Sequence, residues 1–317
     1  MAGMKVLVTG GAGFIGSHVT DAYVARGAKV WVLDNLSSGR RQNLNPQATF
    51  VEADIRDDDE VAALFRDAGG FDLVNHHAAQ IDVRKSVNDP RYDASINVDG
   101  LLNLTERSRE HGVRRFVFVS SGGVVYGEPD VRPTPERMPK LPKSPYGVTK
   151  LVGEHYLHYY ASIHGLEYVA LRYSNVFGPR QDPHGEAGVV AIFCNRLLAD
   201  TPLTIFGDGE QTRDYVFVGD VVRANLTVGD MELDPPTDLD VRGFNVGTGR
   251  ETSVNELART LMRASGREVP LDYAPARPGE LQHSCLDTSS LRKRGWDTQT
   301  TLEQGLKQTF DHIASNR

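Results

Sequence analysis

The sequence predicts an α/β protein, a doubly wound parallel sheet followed by a smaller C-terminal α/β part. Three observations predict it. Short β-branched runs alternate with amphipathic stretches up to residue 171. A glycine-rich turn, Gly10-Gly-Ala-Gly13-Phe14-Ile15-Gly16, lies between the first run and the first stretch. Beyond residue 172 the texture changes to Gly- and Pro-rich loops such as Phe177-Gly-Pro-Arg-Gln-Asp-Pro183.

In chain order, strands are expected at residues 5–8, 29–33, 49–51, 71–74, 115–119 and 167–171, with helices at 17–26, 57–67, 101–110 and 144–164 between them. Strands that alternate with helices read as βαβ units, so the sheet is parallel and covered on both faces, a Rossmann-type arrangement. A further helix is expected at 253–266, where Thr252 or Ser253 caps its start with Glu256 in support. The expected division is 1–171 plus about 214–246 for a cofactor-binding domain, and about 172–213 plus 247–317 for a substrate-binding domain.

With 317 residues, 39% hydrophobic and 24% charged, the chain can bury one large core or two intimate ones. A net charge of −7 without basic clusters argues against nucleic acid or an anionic membrane surface as a partner. No apolar run approaches spanning length, and the first residues lack the pattern of a secretion signal. Cys194 and Cys285 are far apart and lack Cys-x-x-Cys partners, which argues against a disulfide framework or zinc site. A reducing, cytoplasmic setting is expected. His155 and His158 share a helix face but lack an evident third ligand, so no metal is expected.

The turn Gly10-x-x-Gly13-x-x-Gly16 follows a strand and opens a helix. Glycines there allow a tight turn and close backbone approach to a pyrophosphate, which the helix N-terminus favours. Asp34, at the end of the second strand, sits where a carboxylate accepts from a ribose 2′-hydroxyl and repels a 2′-phosphate, so NAD is expected over NADP. Asp54-Ile55, after the third strand, reads either as an adenine contact or as a turn cap. Tyr146 and Lys150, four residues apart, share one helix face, where the ammonium favours the phenolate. A free tyrosine has a pKa of about 10, so use as a base near neutrality asks for about 4 kcal/mol of preferential phenolate stabilisation.

Thr9-Gly-Gly-Ala-Gly-Phe-Ile-Gly16, Asp34-Asn35, His77-Ala-Ala-Gln80, Ser120-Ser121, Tyr126-Gly127, Ser144-Pro-Tyr-Gly-Val-Thr-Lys150 and Arg213-Asp-Tyr215 together resemble the extended short-chain dehydrogenase/reductase family. Within it the chain is most similar to the UDP-glucose (UDP-galactose) 4-epimerases. The resemblance implies C4 epimerisation of a UDP-sugar through a 4-keto sugar, with Tyr146 as proton acceptor and Lys150 beside it. It also implies NAD contacts from Gly10, Gly13, Phe14, Ile15, Gly16, Asp34, Asn35, Ser37, Gly39, Asp54, Ile55, His77, Ala78, Ala79, Gln80, Asn97, Tyr146, Lys150 and Ser174. The family's catalytic Ser or Thr position falls on Gly122, so Ser121, in a loop loosened by Gly122-Gly123, is expected to take the role ahead of Ser120. Related dehydratases carry an acidic pair there, which is missing here and disfavours dehydration.

The same resemblance implies substrate contacts from Ser121, Asn175, Val189, Val190, Thr204, Phe206, Glu280 and Ser284, with Arg213 and Arg277 as diphosphate clamps. For Phe206 a core role stands as the alternative. A small residue at Ser284, where relatives restricted to plain hexoses carry tyrosine, leaves room for N-acetylated sugars. Arg180 keeps a sugar carboxylate, hence UDP-glucuronate, open. The helices at 101–110 and 151–160 resemble those that pair family members into homodimers through a four-helix bundle, with Leu104, Leu157 and Tyr160 expected to be buried there.

Overall fold

The computed structural model describes residues 3–182, 188–277 and 281–316. Its main sheet has seven strands: β1 Lys5–Thr9, β2 Lys29–Asp34, β3 Thr49–Glu52, β4 Leu73–His76, β5 Arg115–Ser121, β6 Glu167–Tyr173 and β7 Gly243–Val246. They lie in the order β7-β6-β5-β4-β1-β2-β3. β1 pairs with β2 and β4, β2 with β3, and β4 with β5, all in parallel. The order reverses direction beside β1, and in open parallel sheets the crevice at such a switch point receives ligands.

Hydrophobic pattern explains these strands. Val6, Leu7 and Val8 have no solvent exposure, as expected of a central strand covered on both faces. The helices begin where short polar side chains cap them: Asp57 accepts from the Glu60 amide, Ser144 from Gly147 and Ser253 from Glu256. The first helix, Phe14–Ala25, starts three residues before its expected position because Gly13 itself serves as the cap. β7 is the strand that local pattern did not single out. It has four residues and depends on β6 as its neighbour.

The chain divides into two compact units. The first runs to Gly127 and adds Pro139–Arg172 and Val222–Phe244; the second consists of Glu128–Met138, Tyr173–Val221 and Asn245 onward. Apart from boundary shifts of one or two residues, two segments differ from the expected division: 128–138 and 214–221 belong to the second unit. Hydrogen bonds account for both. Thr134 N–H donates to Cys285 O, and the Asp214 carboxylate accepts from Thr248, Gly249 and Leu286 amides.

The expectation for Leu104, Leu157 and Tyr160 is corrected here. All three lie in the first unit's own core, and the Tyr160 hydroxyl donates to Glu106. The Pro145–His164 helix instead exposes Tyr156, Tyr159 and Ile163. No helix among the described residues is long and apolar enough to cross a membrane.

Candidate active site

β1 delivers the chain to Gly10, where φ is +67° and an added Cβ would lie 2.7 Å from Ala78 N. Left-handed backbone and close approach therefore both require glycine. A Cβ on Gly16 would fall 2.3 Å from Gly10 O, whereas one on Gly13 would meet only Gly10 O, at 3.1 Å, and otherwise open space. The first intrahelical bond is Ser17 N–H to Gly13 O, so the amides of Phe14, Ile15 and Gly16 have no acceptor within the helix. They form, with the positive end of the helix, a set of donors suited to an anion.

Asp34 closes this loop. Its carboxylate accepts from Ala12 N–H at 3.0 Å and Leu36 N–H at 2.8 Å, and Gly39 packs against it so closely that a Cβ would come within 2.8 Å. Burial raises its pKa above the usual carboxylate value. Asn35 accepts from the exposed Ser37 amide and donates to Asp54. Asp54 takes both the Arg56 amide and its guanidinium, which hold its carboxyl well below the usual range. That is turn-cap geometry. The Ile55 side chain is buried against Gly100.

The end of β4 is pinned by Thr9. Its Oγ1 accepts from Ala78 N–H at 3.1 Å and is hydrogen-bonded to His76 Nδ1 at 2.7 Å. Burial holds His76 and His77 neutral, the latter pushed down to about 3. Ala78 and Ala79 remain partly accessible. Gln80 and Asn97, both expected at the cofactor, are hydrogen-bonded to each other and to Asp93: Gln80 N–H donates to Asn97 Oδ1, Asn97 Nδ2 to Gln80 O, and both side-chain amides to Asp93. A π-type turn over Ser95–Asp99 carries Asn97 into this cluster.

Pro145 at the first helical position and the Ser144 cap start the Pro145–His164 helix one residue before Tyr146. Lys150 is buried. Its Nζ donates to Val119 O at 3.0 Å and lies 5.8 Å from the Tyr146 ring centroid and 5.1 Å from that of Phe118. Burial lowers its pKa to about 8. Ser120 is committed elsewhere: its hydroxyl donates to Glu154, which pairs with the fully buried Arg172. Ser121 is partly accessible and makes no capping bond. The loosened loop expected after it is absent, since Gly122–Val125 forms a turn of helix with both glycines outside the left-handed region.

The second unit holds the residues expected for substrate. Asn175 N–H donates to Asp214 O, and Ser174 N–H to Val246 O. Val189 and Val190 form the first turn of the Val189–Leu198 helix, where amides lack intrahelical acceptors, although the Val190 side chain is core. Thr204 accepts from Arg196, Arg213 donates to Thr212 O, and the Arg277 guanidinium stacks 3.8 Å above the Phe206 ring. Phe206 is only half-buried, unlike Leu203 and Ile205, which supply the core. Ser284 is buried and donates its amide to Thr212 O. Arg180 sits in left-handed backbone, with φ +67°. Glu280 lies outside the described residues.

The model of the NAD dependent epimerase/dehydratase family matches residues 6–247. The chain belongs to that family. The UDP-glucose 4-epimerase of Thermotoga maritima, solved with UDP-glucose, superposes with a TM-score of 0.93 at 47% identity over 99% of both chains. The Thermus thermophilus UDP-glucose 4-epimerase, solved with NAD, gives 0.91 at 43% identity over 99% of this chain and 100% of that one. A putative UDP-glucose 4-epimerase of Methanocaldococcus jannaschii is 46% identical over 98% of this chain and 99% of its own.

The residues present fit the family's NAD. The Gly13 face is open, the Phe14–Gly16 amides have no acceptor within the helix, and a buried polar atom of the same unit, His77 Nε2, has no protein partner. A buried polar atom without a partner is costly unless something else satisfies it. Among the described residues no three His, Cys, Asp or Glu side chains gather as a metal site requires. Local reading overlooked Thr9, Asp93, Thr149 and Glu154. Asp93 and Asn97 stand one helical turn apart, and that spacing was the available signal.

Proposed function

We propose that the protein is an NAD-dependent epimerase acting at C4 of a UDP-sugar, with UDP-glucose and UDP-galactose as the principal pair. The Tyr146–Lys150 pair carries this reading: a half-buried phenol beside a buried ammonium is an arrangement for taking and returning a single proton. NAD, when bound, would supply a reversible hydride acceptor for C4. Tyr146, as phenolate, takes the O4 proton as C4 becomes a ketone and gives it back once the sugar has presented its opposite face, so the cycle is redox-neutral. Asp34 supports NAD over NADP, because a 2′-phosphate would meet a buried carboxylate.

Gly122 and Gly123 provide no carboxylate for the added acid and base of a dehydration. Ser121 is our candidate for the hydroxyl at O4, since Ser120 is tied to Glu154. Arg213, with Arg277 stacked on Phe206, suits a diphosphate and a base in the second unit. A second reading rests on Ser284: its small buried side chain favours acceptance of N-acetylated hexoses as well. We place the protein in the cytoplasm and as a homodimer.

The test is direct. Purified protein that retains NAD is expected to interconvert UDP-glucose and UDP-galactose without net NADH formation. NAD-loaded protein inactive on that pair and on UDP-GlcNAc would overturn the reading.

A further inference from the structure

Lys150 has an electrostatic requirement that its direct contacts do not meet. An ammonium withdrawn from water needs a counter-charge, and while Tyr146 holds its proton a carbonyl oxygen with two aromatic faces supplies only partial ones. The titratable groups that face it are Asp93 from the Pro90–Ala94 helix, His76 and His77 at the end of β4, and Tyr146 on its own helix. Both histidines are neutral. Glu154, one turn along, is engaged by Arg172.

Asp93 has no solvent exposure. Its Oδ1 accepts from Gln80 Nε2 at 2.8 Å and Asn97 Nδ2 at 3.1 Å, and its Oδ2 from Thr149 Oγ1 at 2.7 Å. These three donors orient the carboxylate but carry no charge, so its negative charge is left to act on Lys150. Thr149 directly precedes Lys150, and its Oγ1 also lies 3.0 Å from Tyr146 O. The cluster therefore joins the chain after β4, the π-type turn and the first turn of the helix that bears the proton acceptor.

We propose that Asp93 is a positioning residue, the fixed counter-charge to the Lys150 ammonium and the anchor, through Thr149, of the Tyr146 turn. The proposal rests on Tyr146 and Lys150 acting as in the epimerase reading, but it can be tested apart from it. Two readouts serve: the pH profile of kcat, and the Lys150 titration followed by NMR of 13Cε-lysine-labelled protein, with Lys150→Met to assign the signal.

Asp93→Asn is expected to move both the alkaline limb of kcat and the Lys150 titration down by about one pH unit or more, the scale of removing one nearby opposite charge. Asp93→Glu, which keeps the charge on a longer arm, and Thr149→Val, which keeps the carboxylate, are expected to lower kcat while leaving the limb in place. A kcat that falls equally at every pH in Asp93→Asn, with the Lys150 titration unmoved, would make Asp93 merely structural and overturn the proposal. So would a limb displaced in Asp93→Glu, which decides the matter should Asp93→Asn fail to fold. Failure of the epimerase reading would show differently, as an inactive wild type whose Lys150 titration still responds to Asp93→Asn.

Discussion

Lys150 Nζ reaches across one turn of its helix to within 5.8 Å of the Tyr146 ring centroid while donating to Val119 O at the end of β5. The pair is thereby tied to the sheet as well as to its own helix.

The Lys150 position fixes a pH dependence. Its folded pKa, lowered by burial to about 8, lies below that of an unfolded lysine, about 10.4. Activity that depends on the ammonium is complete below pH 8 and falls as pH rises through it. Stability has the opposite sign: between the two values the unfolded chain binds the extra proton, so this group's contribution rises with pH. Lys150→Met should therefore abolish most turnover, by about 10²-fold or more, and remove the rise in stability between about pH 8 and about 10.4 that this lysine gives the wild type. A variant whose stability follows the wild-type pH course over that range would contradict the lowered Lys150 pKa.

Glu154 and Arg172 form a fully buried pair two turns along the same helix from Tyr146, and Arg172 also reaches Tyr126 and Asp240. Removing one partner strands a charge. Glu154→Ala should cost about 3–5 kcal/mol in denaturant unfolding, whereas Glu154→Ala with Arg172→Met should recover part of that loss. A single variant as stable as wild type would show that the charge finds water.

The fold was legible because its signals are local. A glycine turn between strand and helix and the caps Asp57, Ser144 and Ser253 announce themselves within a few residues. Tyr146 and Lys150 were legible for the same reason, one helical turn apart. What was hidden depends on tertiary partners: β7 needs β6, Thr9 meets His76 across the sheet, and Asp93 meets Thr149 across 56 positions. Nor could pattern alone assign Leu157 and Tyr160 to the chain's own core, since periodicity shows an apolar face but not what covers it.

Ser284 gives a specificity test. It is buried, with its amide on Thr212 O next to Arg213, so a larger side chain must take up space within the second unit. Ser284→Tyr should depress kcat/KM for UDP-GlcNAc at least tenfold more than for UDP-glucose, the range of a steric penalty of about 1–3 kcal/mol. Equal losses on the two sugars would discredit Ser284 as the determinant and point to general disruption.

The proposed dimer rests on the apolar residues that this chain leaves uncovered. Tyr156, Tyr159 and Ile163 are 38%, 48% and 66% exposed and follow one another at spacings of three and four, so they line one face of the Pro145–His164 helix. Val152 and His155 join the two tyrosines in a shallow groove there. A second copy of the same helix, packed antiparallel, would bury this stripe in both protomers by twofold symmetry. Light scattering on the wild type should give twice the chain mass, and Tyr159→Glu with Ile163→Glu should give the monomer, folded and still holding NAD. A monomeric wild type, or a double variant still at dimer mass, would remove this face from the interface.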